Sequence, residues 1–245
     1  MIRCNPSCAR AALALATVLL ASSRDSAAAG PPKAAAIPVT VPPHEEPLID
    51  VSKLDPKLLF DMRYATADNF FGKVAYPVAR CALRRSIGDR MVIAQRWLEA
   101  KHPGLRLMFK DCYRPDRVQR VLWAAVKGTP QAQYVSSPDT PVGSIHSYGA
   151  AVDLTLADAA GKELDMGTPY DFLGPLAEPR MEPKQLRAGE LTAEQVKNRR
   201  ILRKAMQHVS MRMVHHEWWH FDGGTAKDVR KKYSRLDVPL EAITE

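Results

Sequence analysis

Residues 144–156 read Ser144-Ile145-His146-Ser147-Tyr148-Gly149-Ala150-Ala151-Val152-Asp153-Leu154-Thr155-Leu156. The stretch from Ala150 to Leu156 is short and mostly apolar, which reads as a buried strand. His146 and Asp153 are seven steps apart, an odd number, so one straight strand cannot present both on the same face. Gly149 lets the chain turn between them, leaving His146 on a loop and Asp153 in the strand. Read alone, the spacing fits either a pair of metal ligands or a loop histidine beside an unrelated strand aspartate.

A second stretch, His216-Glu217-Trp218-Trp219-His220, has the spacing that in helical metalloproteases puts two imidazoles on a metal and a glutamate beside it. Aromatic crowding and the Asp222-Gly223-Gly224 that follows at once argue against a helix here. The alternative joins His220 to His146 and Asp153. Two nitrogens and one carboxylate oxygen, with the fourth position open, form a sound catalytic zinc sphere.

Outward from these stretches, Asp89–Lys101 reads as a helix with Val92, Ile93, Trp97 and Leu98 inward, stopped by Pro103-Gly104. Leu105, Leu107 and Phe109 alternate as a strand up to Asp111. Pro115 opens a helix to about Lys127, with Val118, Val121, Leu122 and Ala125 inward. Thr192 and Gln195 form a capping box for a helix carrying Val196, Leu202, Met206 and Val209. Helices mixed with separated strands indicate an α+β fold in a single domain.

The chain has 245 residues, 46% of them hydrophobic and 25% charged, an ordinary composition for a globular protein. Residues 1–29 differ: Arg3 and Arg10 precede an apolar run, Ala11–Ala21, and small residues end at Ala27-Ala28-Ala29. That order predicts a signal peptide and an exported, periplasmic or secreted protein. The apolar run is too short for stable membrane insertion. Residues 30–47, rich in Pro and Ala, read as an extended leader, and residues 48–245 as the domain. The net charge of +8 is spread along the chain without a dense basic block, so no nucleic acid is expected as a partner. Cys4 and Cys8 lie in the signal, leaving Cys81 and Cys112 as a disulfide or as two separately buried thiols.

Ser144-x-His146-x-x-Gly149-x-Ala151-x-Asp153 and Glu217-x-x-His220 resemble the paired zinc motifs of the D-Ala-D-Ala peptidases, a family of bacterial dipeptidases and carboxypeptidases. The blocks Asp61–Phe70, Asp111-Cys112-Tyr113-Arg114-Pro115, Met166–Phe172 and Asn198–Arg200 are similar, in order, to the dipeptidase branch. In the second block Cys112 stands where the family has Gly.

The resemblance implies a small, mostly antiparallel sheet flanked by helices, as in Hedgehog-like and D,D-peptidase folds. It implies one Zn2+ per chain on His146, Asp153 and His220, Glu217 as general base and acid, and Arg114 at the oxyanion. Asp171 would pair with a substrate ammonium, while Ser144 and Tyr64 would lie on the substrate side. His216 stands where the family does not require histidine. The implied reaction is hydrolysis of D-alanyl-D-alanine, with a small D,D-dipeptide or a peptidoglycan-derived peptide as partner. The alternatives are a D,D- or L,D-carboxypeptidase acting on stem peptides, and a non-catalytic zinc-stabilised domain, against which Glu217 and Arg114 argue.

Overall fold

The computed structural model describes residues 44–244, which fall within one compact unit. The signal peptide and most of the leader expected from the sequence lie outside the described residues. The strands are β1 (Leu48–Asp50), β2 (Leu59–Phe60), β3 (Ala82–Arg84), β4 (Arg106–Asp111), β5 (Ala151–Ala157), β6 (Arg212–Met213) and β7 (His220–Asp222). The helices are α1 (Arg85–Lys101), α2 (Asp116–Val126), α3 (Glu182–Arg187), α4 (Ala193–His208) and α5 (Ala226–Lys232). Five strands form one sheet in the order β2-β4-β5-β7-β6, with only β2–β4 parallel, while β1 and β3 pair separately. The fold is thus α+β, with a small and mostly antiparallel sheet.

All seven residues of β5 are buried, as befits a central strand covered on both faces. Leu107 and Phe109 of β4 lie opposite Leu156 and Leu154, and Phe221 of β7 lies opposite Val152. These pairs make one apolar face, joined in a single core with Met91 and Leu98 of α1 and Leu202 and Met206 of α4. Alternation along the strand then turns Asp153 to the other face. The face that the helices do not fill is the face that carries polar chemistry.

Two helices face inward differently from the expectation. In α1 the buried residues are Ile87, Gly88, Met91, Ala94, Gln95 and Leu98, while Ile93 is 49% exposed. In α2 they are Gln119, Leu122 and Val126, while Val121 is 47% exposed and Ala125 is exposed too. The inward polar residues explain both rotations. Gln95 accepts from Leu107 N and donates to Leu105 O, satisfying the backbone at the entry to β4. Gln119 holds a buried arginine.

The capping box of Thr192 and Gln195 starts α4 with both reciprocal bonds present. Packing of the N-terminal segment begins before β1. Glu45 pairs with the buried Arg84 and takes the amide of Ser234, and Glu46 pairs with Lys232. Cys81 and Cys112 are joined by a disulfide, Cα–Cα 5.1 Å, which ties the β3 segment to the turn after β4.

Candidate metal and catalytic site

Register brings the first two site residues together. Asp153 on β5 lies directly opposite His220 on β7, so their side chains rise from the same face as cross-strand neighbours. His146 arrives from a 3-10 turn, Ile145–Tyr148, that ends at Gly149 with φ +70°, in the left-handed region. A Cβ at position 149 would also strike the side chain of Leu48, so glycine is required on two grounds. The result is a tight triangle: His146 Nε2 to His220 Nδ1 3.1 Å, His220 Nδ1 to Asp153 Oδ1 2.9 Å, His146 Nε2 to Asp153 Oδ1 3.3 Å.

Each member is also held from behind. His146 Nδ1 lies 2.6 Å from the Cys112 carbonyl, His220 Nε2 lies 2.9 Å from Asp222 Oδ1, and the Tyr170 hydroxyl donates to Asp153 Oδ2 at 3.0 Å. Acceptors face the outer ring nitrogens, which would carry the protons when the inner ones hold a metal; the inner nitrogens point at each other and at a carboxylate oxygen. Burial opposes a proton on His220, yet Asp222 and Asp153, one beside each ring nitrogen, outweigh it and raise its proton affinity well above the ordinary imidazole value. Burial likewise pushes Asp153 up, but His146 and His220 hold it well below the usual carboxylate range. Converging donors that together attract positive charge suit a metal cation, and a His-Asp-His set is a fitting one.

One cleft is lined by this triangle together with Glu217, Arg114, Asp171, Ser144 and Tyr64. The residues between Met213 and His220 form bends rather than a helix, which lets Glu217 and His220 point into one cleft. Glu217 is pushed up to about 8, by burial first and by Asp153 and Asp171 in addition, with His220 and Arg114 pulling the other way. Arg114 is fixed as a fork on Asp111 Oδ2, Nε at 2.9 Å and Nη2 at 2.6 Å, with Nη1 on Gln119 Oε1 at 2.7 Å. A register shift between Phe109 and Asp111 re-aims β4 at that point.

Asp171 stands on the side of the cleft where Phe70 and Leu173 form the wall. It takes the Tyr64 hydroxyl at 3.2 Å, has φ +63°, and is pushed up to about 8 by burial and by Asp153. A non-glycine residue in that conformation stores strain, which marks a position held for its side chain.

Residues 44–239 match the family described as D-Ala-D-Ala dipeptidase. Proteins of known name agree. The D-alanyl-D-alanine dipeptidase of Escherichia coli K12 is 36% identical over 178 residues, 71% of this chain and 83% of that protein. That of Enterococcus faecium is 30% identical over 200 residues, 74% of this chain and 92% of that protein. The chain belongs to the D-Ala-D-Ala dipeptidase family. It is therefore a metal-dependent peptidase, and among its described residues His146, Asp153 and His220 form a cluster that could hold a metal ion.

Membership also sorts the motif residues. His216 is absent from the cluster: its ring is partly exposed and Nδ1 lies 3.9 Å from Glu178. Trp218 and Trp219 are buried, Trp218 donating to Thr168 Oγ1 and Trp219 lining the cleft. The sequence reading did not single out Tyr170, Asp222, Asp111 or Tyr134. Asp222 was within reach, since a residue two places after a strand ligand lies on the same face. Tyr170 sits inside the block already matched to the family, one place before Asp171. Asp111 likewise heads the block that contains Arg114, whereas Tyr134, which lines the cleft, carries no local signal.

Proposed function

We propose that the chain is an exported zinc dipeptidase that hydrolyses D-alanyl-D-alanine in turnover of cell-wall dipeptide. The relatives' activity supports the reaction, and one observation in this chain carries the substrate choice. Asp171, a half-buried carboxylate held by Tyr64, shares one cleft with the His-Asp-His cluster. A carboxylate so placed suits the ammonium of a free amino terminus, which a dipeptide presents next to its scissile bond and a stem peptide does not.

Zinc held by His146, Asp153 and His220 would polarise the scissile carbonyl and acidify water beside it. The chain supplies the rest. Asp171 anchors the substrate ammonium, and Ser144 and Tyr64 bound the dipeptide. Glu217 accepts a proton from the attacking water and returns it to the leaving amine, a task suited to a carboxyl whose proton affinity burial has raised toward neutral pH. Arg114, already aimed by Asp111 and Gln119, faces the developing oxyanion without reorganising. Export is supported by the composition of residues 1–29 and by the Cys81–Cys112 disulfide, which suits an oxidising compartment.

The test is incubation of purified protein with D-Ala-D-Ala and, separately, with a stem pentapeptide. Free D-alanine from the dipeptide alone is expected, with one zinc per chain by elemental analysis. D-Alanine released only from the pentapeptide would replace this reading with a carboxypeptidase.

A further inference from the structure

His216 is left over by the metal site, yet it stands beside the reaction. A second groove is lined by Gln133, Ser136, Ser144, His216, Glu217 and Asp222 among others. It shares Ser144, Glu217 and His220 with the catalytic cleft, but not Asp171. A dipeptide anchored by its ammonium at Asp171 and cleaved between Glu217 and the metal cluster must therefore send its C-terminal residue toward this groove. The orientation rests on the functional reading given above.

That residue ends in a carboxylate, and Glu217 and Asp222 make the groove unfavourable for one. Arg114 is committed to Asp111 and Gln119 on the inner side. Among the described residues lining the groove there is no Lys or Arg, and His220 is held by Asp153 and Asp222. His216 is the remaining basic side chain that lines the groove. Its Nδ1 is buried, without a hydrogen-bond partner, 3.9 Å from Glu178 Oε1. Glu178 is itself fixed by Tyr134 and Arg180, so it sets the ring between a carboxylate and the Tyr134 edge while the side chain remains 40% exposed. With Nδ1 buried, the exposed part of the ring lies along the groove that His216 lines. We propose that His216, which stands outside the metal cluster, binds the carboxylate of the substrate's C-terminal residue through Nε2–H.

The experiment compares D-Ala-D-Ala with its C-terminal amide in wild type, His216→Ala and His216→Gln, reading kcat and KM separately. Wild type should prefer the free acid. His216→Ala should raise KM for the acid roughly tenfold, as expected for losing a hydrogen bond to a charged group, with little change in kcat. Its acid-to-amide preference should collapse toward one, His216→Gln should recover part of it, and metal content should stay constant. An unchanged preference in His216→Ala overturns the assignment, because a merely structural role would weaken both substrates alike. If wild type cleaves only the stem pentapeptide, the dipeptidase reading fails, and the same comparison on that peptide and its amide decides His216. A wild type that cleaves none of them sinks both.

Discussion

Where His146, Asp153 and His220 meet, every side chain is gripped from two directions, by strand register or a turn in front and by Cys112 O, Tyr170 or Asp222 behind. Across the cleft Asp171 has one phenol at 3.2 Å and a long contact from Phe70 N at 3.5 Å, on a backbone strained into the left-handed region. The metal end is over-determined by the sheet. The Asp171 end, which the proposed function makes the recognition end, is carried by loops and costs stability to maintain. The contrast teaches where the molecule can vary: substrate choice can drift at the loop end while the reaction stays fixed.

The sharpest way to break this comparison is at Glu217, which the proposed mechanism makes the proton acceptor and which lies outside the triangle. Glu217→Ala should lower kcat by roughly a thousandfold, the scale of lost general acid–base catalysis, while the chain keeps its metal. His146→Ala should lose metal and turnover together. Elemental analysis beside initial rates separates the two, and retained activity in Glu217→Ala would remove it from the proton path.

Asp171 is the intermediate case. Asp171→Asn should lower kcat/KM on D-Ala-D-Ala by roughly tenfold to a hundredfold through loss of a charged partner for the ammonium. The same change should stabilise the fold in alkali. A carboxyl raised to about 8 in the folded chain but titrating near 3.8 when unfolded binds its proton more tightly when folded. Stability from this group is therefore full below about pH 4 and is lost as pH rises toward 8, and Asn escapes that loss. Urea unfolding at pH 6 and pH 9 should show the variant gaining on wild type at the higher pH. Equal or lower stability there would mean Asp171 is not held at a cost.

The same division explains what the sequence made legible. His146, Asp153, Glu217 and His220 stand out together only through the family's paired motifs, since strand periodicity and one turn glycine alone leave the roles of His146 and Asp153 open. The capping box at Thr192 could be read because its two residues act over a short spacing. The inward faces of α1 and α2 could not, because Gln95 and Gln119 occupy them to satisfy the backbone of β4 and Arg114, and no count of apolar residues foresees a buried amide. The supports of Arg114 and Asp171 come from segments distant in sequence, Tyr64 being 107 residues from Asp171. Only the completed fold brings them together.

Asp222 tests the gripped end most gently. Its carboxylate holds His220 Nε2 at 2.9 Å, which leaves Nδ1 as the nitrogen that faces Asp153 and His146. Asp222→Asn keeps size and an acceptor oxygen but removes the charge that makes the ring a stronger donor to a cation. Losses of tenfold to a hundredfold in metal affinity are typical for such outer partners. Chelator competition should thus show weaker metal binding, while kcat for the fully loaded enzyme changes far less than in Glu217→Ala. An affinity equal to wild type would mean that strand register alone aims His220. The second grip on that ligand would then be redundant, and the two ends of the cleft would be less unlike than their geometry indicates.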